Sequence, residues 1–319
     1  MQVTVICTVK NEAANLPRLL DSLLAQTRPP DEVVIADGGS TDGTAELLHA
    51  YAGRAPWPLR VIVAPGTNIA AGRNVAIRAA TGDVIASTDA GVWLEPNWLA
   101  DLVAPLIDPG LDVVSGFFVP DPHGVFETAL GATTLPAVED VRPDRFIPSS
   151  RSVAFRRQAW QAIGGYPEWL DYCEDVIFDL DLRARTPHFG WAPTAVAHFR
   201  PRSSLRAFAR QYYLYARGDG KAGLWPRRHA IRYATYLVAA PLLLTLGARR
   251  RMAWLALALG LGAMVFTPYK RLARLTRGWP WRARLAAAIW TPVIRVTGDV
   301  AKMLGYPVGV AWRVRHRRR

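Results

Sequence analysis

Apolar positions along the chain follow two rhythms. Short runs rich in valine and isoleucine alternate with stretches in which leucine or alanine recurs every three or four residues. The first kind, at Val3 to Val9, Glu32 to Ala36, Leu59 to Ala64, Asp83 to Ser87 and Asp112 to Val119, predicts strands covered on both faces. The second predicts helices over Ala14 to Gln26, Ala45 to Tyr51, Asn68 to Ala80 and Glu95 to Ile107. In the first helix Leu16, Leu19, Leu20, Leu23 and Leu24 share one side, and Pro17 fits only in the first turn, which sets the start near Asn15. Strand and helix alternate with short links, so the expected fold is α/β: a mostly parallel, Rossmann-like sheet covered by helices. The chain opens on a strand rather than on a basic segment leading a long apolar one, so no signal peptide is expected.

After Val119 the rhythm weakens. Gly124 to Asp144 is less regular, and Arg145 to Phe155 reads as a loop entering a strand. Arg157 to Ile163 predicts a short helix closed by Gly164-Gly165. Glu174 to Arg185 predicts another, with Val176, Ile177, Phe178 and Leu180 inward and Asp179 and Asp181 on the solvated side. Ala192 to His198 predicts an edge strand, and Ser203 to Ala216 a helix carrying Arg206 and Arg210 just before Arg217. From Tyr233 to Ala248 and from Met252 to Tyr269 there is no charge, and each run suits one short bilayer crossing. Pro241 kinks a membrane helix without forbidding it. A buried hairpin is the other reading, but neither run has a polar face and both are bordered by arginine. Basic residues on the outer flanks put both flanks in the cytoplasm. Leu285 to Val314 mixes apolar and basic residues, as expected of a segment lying along a membrane surface.

Charge sharpens this division. The net +13 is the sum of two unlike parts. Residues 1–200 carry 15 Lys and Arg against 24 Asp and Glu, a net of −9, whereas residues 201–319 carry 24 against 2, a net of +22. Basic tails meet nucleic acid or anionic lipid. Long apolar runs in this tail point to membrane lipid and away from nucleic acid. Cys7 and Cys173 lie far apart and form no metal or redox motif, so both are expected as packed thiols.

Candidate chemistry gathers at the strand ends. Asp37 closes the second strand ahead of Gly38 and Gly39, which allow a ligand close to the main chain. Ser40, Thr41 and Asp42 suit the start of the next helix. Thr8 and Glu12 follow the first strand, Asp89 follows the fourth, and Arg73 lies on the helix that enters the fourth. A parallel sheet carries these positions to its C-terminal edge, where α/β proteins bind nucleotides. The set suits a nucleoside diphosphate: carboxylates for ribose and base, a cation for the phosphates, and a divalent metal on a carboxylate. Arg206, Arg210 and Arg217 offer either diphosphate contacts or attraction to lipid headgroups.

Together these motifs resemble glycosyltransferase family 2, with its GT-A fold. The residues that carry the resemblance are Thr8 to Glu12 (TVKNE), Asp37 to Thr44 (DGGSTDGT), Arg73-Asn74, Thr88-Asp89-Ala90-Gly91, Gly164-Gly165-Tyr166, Glu174-Asp175 and Gln211 to Gly220. It implies a nucleotide-diphosphate sugar donor, transfer with inversion, and Mg²⁺ or Mn²⁺. By position it assigns Thr8, Glu12, Asp37, Gly39, Arg73 and Asp89 to the donor, Asp175 to the catalytic base with Glu174 beside it, and Arg210, Gln211 and Arg217 to the acceptor side or a diphosphate. The family's Asp-x-Asp motif here reads Asp89-Ala90-Gly91, which leaves Asp89 as metal ligand with His198 as the candidate to complete it. The expected protein is a membrane-anchored transferase of the inner or plasma membrane, with a cytoplasmic catalytic domain at 1–220. A membrane-associated region follows at 221–319, with transmembrane helices at 233–248 and 252–269 and a basic interfacial tail at 270–319. Its acceptor would be lipid-linked or a cell-envelope glycan. Two alternatives stay open. A sugar-phosphate nucleotidyltransferase wants a basic Gly-rich loop where TVKNEAAN offers only Lys10. A non-catalytic nucleotide-sugar-binding scaffold has no need of Glu174-Asp175.

Overall fold

A computed structural model describes residues 1–186 and 188–316. Packing divides the chain into two compact units, Met1–Asp121 with Ala137–Arg200, and Pro122–Pro136 with Pro201–Arg319.

The first unit begins β1 (Val3–Val9), α1 (Leu16–Leu24), β2 (Glu32–Asp37), α2 (Thr44–Ala52), β3 (Leu59–Val63), α3 (Ile69–Ala79) and β4 (Val84–Ser87). It continues through β5 (Val92–Leu94), α4 (Trp98–Val103) and β6 (Val113–Pro120). The next helix, α5 (Val125–Thr134), belongs to the second unit, after which β7 (Val153–Arg156), α6 (Arg157–Ile163), α7 (Glu174–Arg185) and β8 (Gly190–Phe199) complete the first. One eight-stranded sheet runs β3-β2-β1-β4-β7-β6-β8-β5. The β3-β2-β1-β4 half is parallel, as its pattern predicted. In the other half β7 runs against both β4 and β6, and β5 against β8, so the sheet is mixed. Both faces are buried: Val3, Val5, Cys7 and Val9 pack with the α1 leucines, while Ile6 joins Val34, Ile77, Phe155 and Phe178 on the opposite side. That two-sided burial is why these strands read as continuous apolar runs.

Three expectations are corrected here. The strand at Gly190–Phe199 is not an edge: β5 lies outside it, three residues long and too short to show a period. Gly124 to Asp144 is not irregular throughout, because α5 spans ten residues of it. All of Glu127 to Thr133 are buried, so this helix has no polar face to betray it. Asp179 is not on a solvated face; it is 3% exposed, whereas Asp181 is exposed as expected.

The second unit is helical: α5, α8 (Leu205–Ala222), α9 (Pro226–Tyr233), α10 (Ala240–Gly247), α11 (Arg251–Leu275) and α12 (Trp281–His316). The boundary expected at 220 falls inside α8, which packs along α12 within this unit. A side chain at Gly305 would collide with the Tyr213 carbonyl, so glycine is what lets these two backbones approach. Between α9 and α10 the backbone is π-helical over Ala234–Ala239, just ahead of Pro241, whose ring cannot sit against an ordinary preceding turn. Pro226–Gly247 and Arg251–Leu275 are each long and apolar enough to cross a membrane. They form a hairpin in which Trp254 Nε1 donates to the Gly247 carbonyl at 2.9 Å. Along α12, Leu285, Ile289, Val293, Val296, Val300, Leu304 and Val308 stay exposed at spacings of three and four, a single apolar stripe.

Candidate active site

Parallel register brings the strand ends level: Val9 pairs with Asp37, and Ile6 with Ser87. The loops that follow are stitched together. Asn11 N donates to Ser40 Oγ at 2.9 Å and its Oδ1 accepts from Thr41 N at 2.9 Å, while Glu12 N donates to Thr44 Oγ1 at 2.9 Å. Asp37 is 2% exposed. Its Oδ1 accepts from Gly39 N, Ser40 N and Ser40 Oγ at 3.1, 2.9 and 2.7 Å, whereas Oδ2 accepts from no described residue. Asn11 (φ 57°) and Cys173 (φ 65°) are two of the three described non-glycine residues in the left-handed region, and they stand next to Glu12 and Glu174. Backbone strain of this kind concentrates at functional sites.

Arg73 is the centre of the edge. A Cβ at Gly72 would lie 2.9 Å from Thr8 Cγ2, so α3 can press against β1 only because that residue is glycine. Its next residue, Arg73, is buried at 4% exposure and donates from Nη1 to Glu174 Oε1 at 2.7 Å and from Nη2 to Asp89 Oδ1 at 3.0 Å. One guanidinium thus joins the end of β4 to the start of α7. Asn74 holds the intervening turn. Its Oδ1 accepts from Tyr166 N at 2.9 Å and Trp160 Nε1 at 3.0 Å, and its Nδ2 donates to the Tyr166 carbonyl at 2.9 Å.

Burial, then the neighbouring Asp175 charge, pushes the Glu174 carboxyl up to about 7 against the pull of Arg73. Asp179 is pushed well above the usual carboxylate range, first by burial and then by Asp175, and its buried Oδ2 has no hydrogen-bond partner among the described residues. Asp175 is only half-buried, with its Oδ1 accepting from Val176 N. Within the first unit, then, the structure brings Arg73, Asp89, Glu174 and Asp175 into one group. Thr8, Glu12, Asp37 and Gly39 lie on the loops and strand ends of the same edge.

His198 faces elsewhere: its Nε2 is 2.7 Å from Glu95 Oε1, and its ring stacks on Trp93 at 3.7 Å. The Asp89 oxygens face Arg73 and Arg151, and a glycine occupies position 91. Among the described residues no three His, Cys, Asp or Glu side chains gather closely enough to hold an ion. These residues, as placed, do not fit a divalent metal held by protein ligands. In the second unit, Arg210 lines an apolar groove of about 510 Å³ with Ala209, Tyr213, Val296, Val300 and Leu304, and Gln211 Nε2 donates to Tyr215 Oη at 2.7 Å. Arg217 is half-buried on the same helix.

Sequence reasoning missed Arg151 and Asp179. The signal for Arg151 was its place just before an apolar strand, readable only once that strand's antiparallel pairing is known. For Asp179 the signal was its spacing four residues after Asp175.

A curled mixed sheet with helices on both faces and acidic loops at its C-terminal edge is the GT-A fold. Residues 4–160, about half of the chain, match the model of the family described as Glycosyl transferase family 2, and the chain belongs to it. Among its relatives, it is 27% identical over 180 residues to Glycosyltransferase AglE of Haloferax volcanii, covering 54% of this chain and 59% of that one. With the pre-mycofactocin glycosyltransferase of Mycobacterium tuberculosis it shares 26% identity over 281 residues, 82% of this chain and 53% of that one. The chain therefore spans only about three fifths or less of the length of these relatives. A solved structure with the same fold is a mannosyltransferase from Pyrobaculum calidifontis in complex with GDP-Man and Mn²⁺. It has a TM-score of 0.61 and 24% identity, over 91% of this chain and 86% of that one.

Proposed function

We propose that this chain is a membrane-anchored, inverting glycosyltransferase that moves a sugar from a nucleotide-diphosphate sugar to a lipid-linked or cell-envelope glycan acceptor. The observation that carries the reading is the Arg73 bridge between Asp89 and Glu174. It ties a donor edge to a pair of acids within one family 2 unit. In the reaction the acceptor hydroxyl oxygen attacks the anomeric carbon, and the bond from that carbon to the diphosphate breaks. The hydroxyl proton passes to the Asp175 carboxylate. One displacement inverts the anomeric centre. Asp175 is exposed enough to meet an acceptor, whereas Glu174 is held by Arg73 and positions the helix start. Thr8, Glu12, Asp37 and Gly39 hold the nucleotide; the GDP-Man of the solved mannosyltransferase supports that donor class. Mg²⁺ or Mn²⁺ is supported only by likeness to that neighbour, whose complex holds Mn²⁺.

On the acceptor side, the groove beside Arg210, with Gln211 and Arg217 on the same helix, suits an apolar chain bearing a phosphate. The hairpin and the exposed stripe of α12 support anchoring in the plasma or inner membrane, and the basic flanks support a cytoplasmic catalytic unit. The test is transfer from UDP-, GDP- and dTDP-sugars by the detergent-solubilised chain, with the product anomer read by NMR. At saturating donor, Asp175→Asn should lose transfer by roughly 10²–10⁴ while keeping donor affinity, and Glu174→Gln should lose less. Transfer at the parent rate in Asp175→Asn would remove Asp175 as the base.

A further inference from the structure

Three helices of the second unit, α5, α8 and α12, meet around a small pocket of about 100 Å³. Thr134 of α5 and Tyr212 of α8 bring hydroxyls to it, and α12 brings Arg295, Asp299 and Lys302. Those three recur at spacings of four and three, so they share one face of α12. A Cβ at Gly298 would lie 3.0 Å from Phe208 Cζ and 3.3 Å from Tyr212 Cδ1, so glycine lets the α8 rings close in beside them. The groove beside Arg210 is a different place, lined on α12 by Val296, Val300 and Leu304.

The carboxylate in this pocket is already compensated. Asp299 Oδ1 accepts from Arg232 Nε at 2.7 Å, and its Oδ2 accepts from Tyr236 Oη at 3.1 Å and lies 3.5 Å from Arg295 Nε. The next acid, Asp219, stands 3.2 Å from His229 Nε2. The cations are not matched in return. Lys302 Nζ sits 4.6 Å from the centroid of the Tyr212 ring, and it makes no hydrogen bond or ion pair with a described residue. The terminal nitrogens of Arg295 have no partner among the described residues either, and that side chain is 43% exposed, within reach of a ligand. Arg232, Arg295 and Lys302 against Asp299 and Asp219 leave the charge positive. Burial, then the Arg232 charge, pushes the Lys302 ammonium down to about 8, with Arg295 adding to them and Asp299 and Asp219 opposing. An ammonium so placed is stabilised by an anion brought beside it. The space is well under the roughly 300 Å³ of sites that enclose a whole small molecule, so it suits one compact group.

We propose that this pocket is a phosphate site, in which Lys302 and Arg295 grip one phosphate oxyanion, carried by a lipid headgroup or free in solution. A guanidinium fork spans two phosphate oxygens, and an ammonium adds a compact charge to a third. The same unit carries the two helices able to cross a membrane, which puts lipid phosphates in its surroundings.

The experiment is calorimetric titration of the detergent-solubilised full chain at constant ionic strength. One arm uses inorganic phosphate. The other uses short-chain phosphatidic acid in maltoside micelles, with diacylglycerol of the same chains as the control lacking phosphate. Binding of phosphatidic acid but not of inorganic phosphate identifies a lipid headgroup, and binding of inorganic phosphate identifies a site open to the free anion. In either case Lys302→Met and Arg295→Gln should each weaken binding about tenfold or more. Arg249→Gln, which removes the same charge from an exposed arginine, should change it less than about twofold. The proposal is overturned if neither ligand binds, if diacylglycerol binds as tightly as phosphatidic acid, or if the pocket variants lose no more than Arg249→Gln. Should Lys302→Met melt well below the parent, the more exposed Arg295→Gln decides alone.

Discussion

Replacing Arg73 by methionine removes the cation and keeps most of the volume. Two carboxylates then lose their partner, but not equally. Glu174 is 8% exposed and bonded at 2.7 Å, whereas Asp89 is 31% exposed and bonded at 3.0 Å. Stranding one member of a buried pair costs about 3–5 kcal/mol, while a solvent-accessible partner contributes about 0–1 kcal/mol. The expected loss at pH 8 is therefore about 3–5 kcal/mol, nearly all of it through Glu174. Burial already pushes that carboxyl up to about 7, and without Arg73 it rises further. A carboxyl raised in the folded state contributes stability below its unfolded value, about 4.3, and loses it as pH rises through the folded value. The deficit of Arg73→Met should accordingly shrink between pH 8 and pH 6, as Glu174 takes up its proton. Thermal unfolding of the detergent-solubilised chain, followed by tryptophan fluorescence, measures this. A double-mutant cycle with Glu174→Gln should give a coupling of about 2 kcal/mol or more, and one with Asp89→Asn about 1 kcal/mol or less. Coupling to Asp89 as large as to Glu174, or a deficit that ignores pH, would refute the reasoning.

Two further outcomes follow from the same edge. Asp37→Asn keeps an acceptor for the loop donors but removes the charge, so it should lower diphosphate affinity about tenfold with little change in melting; calorimetry that finds unchanged affinity takes Asp37 out of the site. Asp179 is raised by burial, so its contribution is present below the unfolded value, about 3.9, and lost as pH rises; melting of the parent should fall relative to Asp179→Asn between pH 5 and pH 8, and parallel curves would contradict this.

Much of the parallel half of the sheet was legible because burial there obeys a simple period. The α1 leucines, Pro17 in its first turn and the β-branched runs of β1 and β2 each satisfy one local rule, and the expected starts and ends hold to within a residue or two. Period fails where a segment is buried all round or is too short to repeat. The first case is α5, the second β5. Strand directions in the second half of the sheet were not legible, for a related reason. Nothing local to Val153–Arg156 says that it runs against both its neighbours.

The site itself was legible as a roster of residues but not as a circuit. Asp37, Asp89 and Glu174-Asp175 could be found because each ends a strand or opens a helix. That Arg73 joins two of them could not, since its partners are 16 and 101 residues away. Asp179 shows the same limit from the other side. A charged residue is expected to face water, and burying one is tolerated only where its charge is compensated or given up. Here burial, and after it Asp175, push the carboxyl up against the pull of Arg73 and Arg183. The acids around Arg73 outnumber the arginines that reach them, in a segment whose net charge is −9. An anionic diphosphate brought to such an edge meets repulsion unless protons and guanidinium groups offset the acids. Arg73 and Arg183 supply the guanidinium part of that offset, and burial favours the protonated forms of Glu174 and Asp179, all of them residues no local pattern would have grouped.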